Sequence, residues 1–254
     1  MSALGRQQTF CGAGVMVPKL RLEHMAEIKI LSTHAVQEVL SELGPPFERV
    51  SGVGLAIDYD PANALQRRIE AGTPFDVAIV TRTVIDGLAL TGKVRAQTCK
   101  DICRSGLGVA VRQGAAAPDI ATVDAFRRSL LAARSVVRSK EGTSGLYFET
   151  LLGRLGIADA MRGKIVLGPS GRIAELVARG EAEMAVQQIP ELLPVKGVHY
   201  VGPLPGELQL WTVFAAGIGS AANDPAAART FIEALVTPSA VALFRAQGLE
   251  PVPG

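Results

Sequence analysis

Surplus charge is almost absent from this 254-residue sequence: 26 Lys and Arg against 24 Asp and Glu leave +2 with histidine neutral. Aromatic residues make up only 5% of it, with a single Trp. With neither a basic stripe nor a stacking platform, nucleic acid is not an expected partner. Cysteine is as scarce. Cys11, Cys99 and Cys103 are an odd number without framework spacing, which excludes a disulfide scaffold. Cys99 and Cys103 have no nearby histidine and too few ligands for zinc, so they read as ordinary thiols. No apolar run approaches the roughly 18 residues of a membrane span. The dinucleotide glycine fingerprint, the phosphate-binding P-loop, the H-E-x-x-H zinc motif and the G-x-S-x-G elbow are all missing. No cofactor and no metal are therefore expected. The first 24 residues hold Arg6 but no continuous apolar segment and no cleavage site. Residues 1–26 read as a leader, and the chain as written is expected in the cytoplasm. A true start carrying a further signal would make it periplasmic.

What is present is a regular alternation of strands and helices. Hydrophobic residues form 48% of the chain and charged residues 20%, with Gly and Pro scattered without period, as in a globular protein that buries a sizeable core. Apolar strands are predicted at Ile28–Ser32, Gly54–Asp58 and Asp76–Val80. Between and after them come helices over Ala35–Leu43, stopped by Gly44-Pro45-Pro46, from Asn63 as a cap to Glu70, and over Val84–Leu90. Further strands are predicted at 106–111, 135–138, 164–167, 184–187 and 211–216. Helices are predicted at 123–133, 146–155, 172–178, 224–235 and 239–247. Pro190-Glu-Leu-Leu-Pro194 reads as irregular. The pattern is α/β with parallel sheets. Strands that continue after one full α/β unit imply two lobes, with crossovers near 95–106 and 188–206. The first lobe is then 27–100 with 205–254, and the second is 101–204.

In open α/β sheets, ligands bind beyond the carboxyl ends of the strands. The polar residues at those junctions are the candidates. Ser32, Thr33 and His34 follow the first strand; His34 is the one histidine so placed and the one side chain suited to moving a proton near neutral pH. His24 lies in the leader and His199 beside Tyr200. Asn63 follows the second strand, and Arg82 the third. Thr143 and Ser144 open the helix after Glu141, where hydroxyl and backbone N–H groups suit an anion. Arg172 offers a bidentate fork for a carboxylate or oxyanion. Gln188 ends a strand as a neutral donor. Together these junctions describe a small-anion pocket between lobes.

Three segments resemble the periplasmic molybdate-binding proteins: Leu65-Gln-Arg-Arg-Ile-Glu-Ala-Gly72 with Asp76-Val77, then Gly145-Leu-Tyr147, then Val177-Ala-Arg-Gly-Glu-Ala-Glu183. The resemblance covers about residues 27–250. It implies a two-lobed type 2 periplasmic-binding-protein fold with two interlobe crossovers and a ligand in the cleft. It also implies the role of substrate-binding component of an ABC importer, with a permease as partner if the chain is exported. The family's two oxyanion-holding serines fall on Ala35 and Ala62, and its tyrosine on Gln188. A pocket of His34, Asn63, Ser144, Arg172 and Gln188 suits an organic carboxylate at least as well as molybdate. The resemblance carries an alternative, because aconitate isomerase is similar to the same proteins. The chain would then be a cofactor-independent isomerase of an unsaturated polycarboxylate, with Arg172 holding a carboxylate and His34, or a nearby acid such as Glu141, moving the proton.

Overall fold

The computed structural model describes residues 26–252, so the leader, Cys11 and His24 lie outside the described residues. Two five-stranded sheets organise the chain. The first contains β1 (Glu27–Ser32), β2 (Gly54–Tyr59), β3 (Val77–Thr81), β4 (Lys100–Ser105) and β10 (Thr212–Ile218), in the order β2-β1-β3-β10-β4. The second contains β5 (Leu107–Arg112), β6 (Val136–Ser139), β7 (Ile165–Gly168), β8 (Met184–Gln188) and β9 (Val198–Pro203), in the order β7-β6-β8-β5-β9. In each sheet three neighbouring strands are parallel and the fourth runs against them. This is the expected α/β, two-lobed type 2 periplasmic-binding-protein fold. The chain passes between lobes at Gly106 and again after β9. Since β4 pairs with β10, the boundary falls after Ser105 rather than at 100.

Each sheet is covered on both faces. One face of the first packs Ile28, Ile30, Val77 and Ile79 against Val39 and Leu40 of α1 (Gln37–Ser51), Phe231 of α9 (Pro225–Ala234) and Phe244 of α10 (Pro238–Ala246). The other packs Leu31, Ala78 and Val80 against Leu65 and Ile69 of α2 (Ala62–Glu70), and Ile85 and Leu88 of α3 (Arg82–Leu90). The second sheet is sandwiched similarly. Phe126 of α4 (Val123–Ala132) and Phe148 of α5 (Thr143–Arg154) cover one face with Met161 of α6 (Ala158–Met161). Ile173 and Val177 of α7 (Ile173–Ala178) cover the other with Leu192 of α8 (Ile189–Leu192). Burial on both faces explains why β3 and β8 are buried throughout.

Three local expectations are corrected. Helix α1 does not stop at Gly44-Pro45-Pro46 but runs through both prolines to Ser51. Each proline deletes a backbone donor, and tertiary contact outweighs the loss: Phe47 meets Phe231 edge-on at 5.2 Å between ring centroids, and Glu48 accepts from the Leu55 amide at 2.8 Å. The 95–106 and 188–206 stretches hold edge strands β4 and β9 beside the crossovers. Pro190-Glu191-Leu192 forms a single helical turn, the proline sitting in its first positions where no donor is missed.

Asp76 ties the first lobe together. Its carboxylate, 1% exposed, accepts from the Lys29 amide in β1 and from the Asn223 amide ahead of α9, both at 2.7 Å. Its own backbone closes both junctions, donating to Lys29 O at 2.8 Å and accepting from Gly219 at 2.9 Å. Replacing Asp76 by Ala orphans two amides, and hydrogen bonds to a charged group contribute about 1.5–3 kcal/mol each. Asp76→Ala is expected to lower unfolding free energy by about 3 kcal/mol in urea titrations; a loss below about 0.5 kcal/mol would show that the clamp is dispensable.

Candidate functional site

The parallel strands of both sheets point their carboxyl ends at one cleft. Thr33 and His34 follow β1, Pro61 and Ala62 follow β2, and Thr81 ends β3. From the second lobe, Ser139 ends β6, Gly142, Thr143 and Ser144 open α5, Ser170 and Gly171 follow β7, and Gln188 ends β8. These residues, with Ala35, Glu191 and Phe214, enclose a cavity of about 40 Å³. That is room for a group no larger than a few waters, such as one carboxylate. His34, Gly171 and Glu191 also border an outer groove of about 770 Å³. The inner cavity and the groove therefore share a wall, and Arg172 and Lys196 stand in the groove.

The inner cavity holds hydrogen-bonding capacity that the protein does not use. Thr33 Oγ1, Ser139 Oγ and Gln188 Oε1 are buried without a protein partner, an arrangement that costs about 1–3 kcal/mol per group unless something else bonds them. Gln188 Nε2 donates to Thr212 Oγ1 at 3.0 Å. Turned by half a rotation, the same amide accepts from Thr212 and offers its NH2 group instead. The helices add to this supply. α2 begins after Pro61 and α5 after Gly142, neither with a side-chain cap. By contrast α4, α9 and α10, away from the cavity, are capped by Thr122, Asp224 and Thr237. Uncapped first turns leave N–H groups and the positive end of the helix dipole facing the cleft.

Close packing sets the walls. A Cβ at Gly145 would lie 2.0 Å from the Ser139 carbonyl oxygen, so only glycine lets α5 start this near β6. Arg138, 8% exposed, braces the turn by donating to the Ser139 carbonyl at 3.1 Å and to Glu149 Oε2 at 2.7 Å. Gly171 has φ +79°, and a Cβ there would meet the His34 ring at 2.5 Å. That contact joins the lobes, as does the Arg67–Glu141 ion pair at 3.2 Å.

Among the described residues no lysine or arginine lines the inner cavity, and Glu191 is the one carboxyl that does. Gln187 Nε2 donates to it, yet desolvation prevails and pushes its pKa up to about 7. Burial also lowers the pKa of His34, against a partial pull upward from Asp60. Its ring lies 6.1 Å from that of Tyr59, whose hydroxyl is pushed up to about 12 by burial and by Glu38.

Of the residues singled out from sequence, Thr33, His34, Thr143, Ser144 and Gln188 come together around the inner cavity. Four do not. Ser32 is buried beside it, its hydroxyl donating to the Thr33 carbonyl. Asn63 is not the cap of α2 but sits within its first turn, the cap position being Pro61. Arg82 turns away to Asp86 at 2.9 Å and Asp101 at 3.0 Å. Arg172 is exposed in the outer groove, its guanidinium held by Glu175 through two 3.0 Å bonds. Glu141 is spent on Arg67. Missed were Ser139 and Glu191. Ser139 carried the same signal as Thr33, a hydroxyl at a strand's end. Ala35 and Ala62, aligned with the serines of the molybdate-binding proteins, do line the cavity and present methyl groups there.

Residues 28–250 match the family model of the bacterial extracellular solute-binding proteins. Over 242 residues the chain is 31% identical to an aconitate isomerase from a Pseudomonas species, covering 93% of this chain and 92% of that one. Over 228 residues it is 23% identical to the molybdate-binding protein ModA of Escherichia coli K12, covering 87% and 88%. The periplasmic molybdate-binding protein of Azotobacter vinelandii shares the fold with a TM-score of 0.76 at 19% identity, covering 89% of this chain and 100% of that one. With a family match across nearly all of the described residues, the chain belongs to the bacterial extracellular solute-binding proteins.

Proposed function

We propose that this protein captures a small organic polycarboxylate between its lobes. One carboxylate enters the inner cavity, and the rest of the molecule extends into the outer groove. The observation that carries this reading is the set of buried, unpartnered polar atoms on Thr33, Ser139 and Gln188, drawn from both lobes around one cavity. A carboxylate oxygen bonds the Thr33 and Ser139 hydroxyls, and the Gln188 amide once turned to present its NH2 group, without needing a cation. A second carboxylate in the groove would meet Lys196, and Arg172 once it gives up its bonds to Glu175. Ala35 and Ala62 argue against a bare tetrahedral oxyanion such as molybdate, because each removes a hydroxyl where the molybdate-binding proteins supply one. In an exported form, the protein would deliver its ligand to the permease of an ABC importer.

A second reading is favoured by one feature. Glu191 and His34, two groups able to exchange a proton near neutral pH, both line the cavity. The 31% identity with an aconitate isomerase supports the same reading. An isomerase would hold the polycarboxylate in the same place and shift an allylic proton.

A thermal-shift and calorimetric series with trans-aconitate, citrate, molybdate and sulfate tests the first reading. The carboxylates are expected to raise the melting temperature, since a ligand specific for the folded state stabilises it by mass action. Molybdate and sulfate are expected to leave it unchanged, and the reverse pattern would refute the proposal. Ser139→Ala is expected to weaken trans-aconitate binding about tenfold, the loss of one hydrogen bond to a charged group. Ala35→Ser combined with Ala62→Ser is expected to raise molybdate affinity at the expense of carboxylates. Proton NMR of cis- or trans-aconitate incubated with the protein separates the two readings. Formation of the other isomer establishes the isomerase, and an unchanged spectrum excludes it.

A further inference from the structure

Glu191 is out of place in an anion site. An ionised carboxylate only accepts hydrogen bonds, and so do the oxygens of an ionised carboxylate or metal oxyanion. Brought together in a cavity without lysine or arginine, the two repel and leave lone pairs facing each other. Glu191 also lacks a salt-bridge partner among the described residues. Gln187 Nε2, from the neighbouring strand end, donates to its carboxyl and holds it at the cavity wall.

We propose that Glu191 carries a proton into the complex, donating a hydrogen bond from its acid form to the bound anion, so that each anion captured from alkaline solution takes up one proton. This rests on the reading of the inner cavity as an anion site, and adds to it the residue that links binding to pH. An ionised Glu191 would select the opposite ligand, one bringing its own hydroxyl donor, and would take up nothing.

The neighbours of Glu191 leave it as the group that titrates. From the turn after β1 comes His34, whose pKa is lowered by burial, so it is neutral at and above neutral pH. From α1 comes Glu38, and from β2 Asp58 and Tyr59, with Asp58 paired to Arg68 and the Tyr59 hydroxyl pushed up to about 12. From α7 come Arg172 and Glu175, bonded to each other, and after α8 comes the exposed Lys196. Burial raises the carboxyl of Glu191 to about 7, which puts its proton in play within the ordinary range.

Isothermal titration of the full chain with trans-aconitate and with citrate, in HEPES and in Tris, counts the protons, because the two buffers absorb them with different heats. Both probes are fully ionised at pH 8.5, so a proton taken up there enters the complex from solution, and Glu191→Gln assigns it. At pH 8.5 the expected uptake is about one proton per anion bound, and affinity should fall about tenfold per pH unit above 7. Glu191→Gln should bind with no uptake and with little pH dependence. Binding by the wild type without uptake at pH 8.5 overturns the proposal while leaving the anion site intact, as does uptake that persists in Glu191→Gln. Absence of binding by both probes at every pH overturns the anion site itself, and this inference with it. Were Glu191→Gln not to fold, the wild-type proton count still decides. The ligand-free protein gives an independent check. A carboxyl raised from 4.5 to about 7 on folding stabilises the folded state fully below 4.5, and that contribution is lost as pH rises through 7. Carbon-13 observation of the Glu191 carboxyl completes the test, and an ionised carboxyl in the trans-aconitate complex at pH 7 would overturn the proposal outright.

Discussion

The first turn of a helix exposes backbone N–H groups that need acceptors, and this protein leaves that need unmet where its two lobes face each other. α2 and α5 enter the cleft uncapped, while α4, α9 and α10, which do not reach it, use Thr122, Asp224 and Thr237 for the purpose. The strand order places these first turns opposite one another, because the parallel strands of both sheets end at the same cleft. Around them stand Thr33, Ser139 and Gln188, each with a buried polar atom that no protein group bonds. A site of this kind stabilises negative charge with fixed dipoles instead of counter-ions. Such dipoles are aimed in advance by the helices and by the tight packing at Gly145, so little rearrangement is needed when the charge arrives.

The contacts that join the lobes directly are weak. Arg67 and Glu141 are 64% and 51% exposed, and exposed pairs contribute only about 0–1 kcal/mol. Gly171 packs on His34, Gln188 bonds Thr212, and Ile189 and Leu193 of the second lobe face Gly248 of the first. Closure is therefore poised for control by whatever fills the cavity, since a ligand shifts such an equilibrium by its difference in affinity for the two states. Glu191 stands in the wall that the cavity and the groove share, where a ligand reaching across both would meet it.

Much of the fold was legible because both sheets are covered on both faces. Their inner strands, such as β3 and β8, read as continuous apolar runs, and glycines close most of the helices after them. Edge strands β4 and β9 were not legible, because Lys100-Asp-Ile-Cys-Arg-Ser105 and Val198–Pro203 mix polar and apolar residues and owe their pairing to β10 and β5. The prolines within α1 misled for a related reason. Local chemistry says stop, and Phe47 seated on Phe231 says continue. At the site, strand-end hydroxyls and Gln188 could be found from position alone. Arg82 and Arg172 could not be excluded that way, because their partners Asp101 and Glu175 compete with the cavity only once the chain is folded. Glu191 was hidden most thoroughly, since a short proline-flanked turn looks like a surface loop until β8 carries it under the cleft.

The central claim is that backbone amides from both lobes grip one anion. Nitrogen-15 NMR of the uniformly labelled protein, titrated with trans-aconitate, tests it at the atoms concerned. The amides of Ala62 and Asn63 in α2 and of Thr143, Ser144 and Gly145 in α5 are expected to shift together, along one saturation curve. Saturable binding that moves neither set, or moves the amides of one lobe alone, would contradict the account.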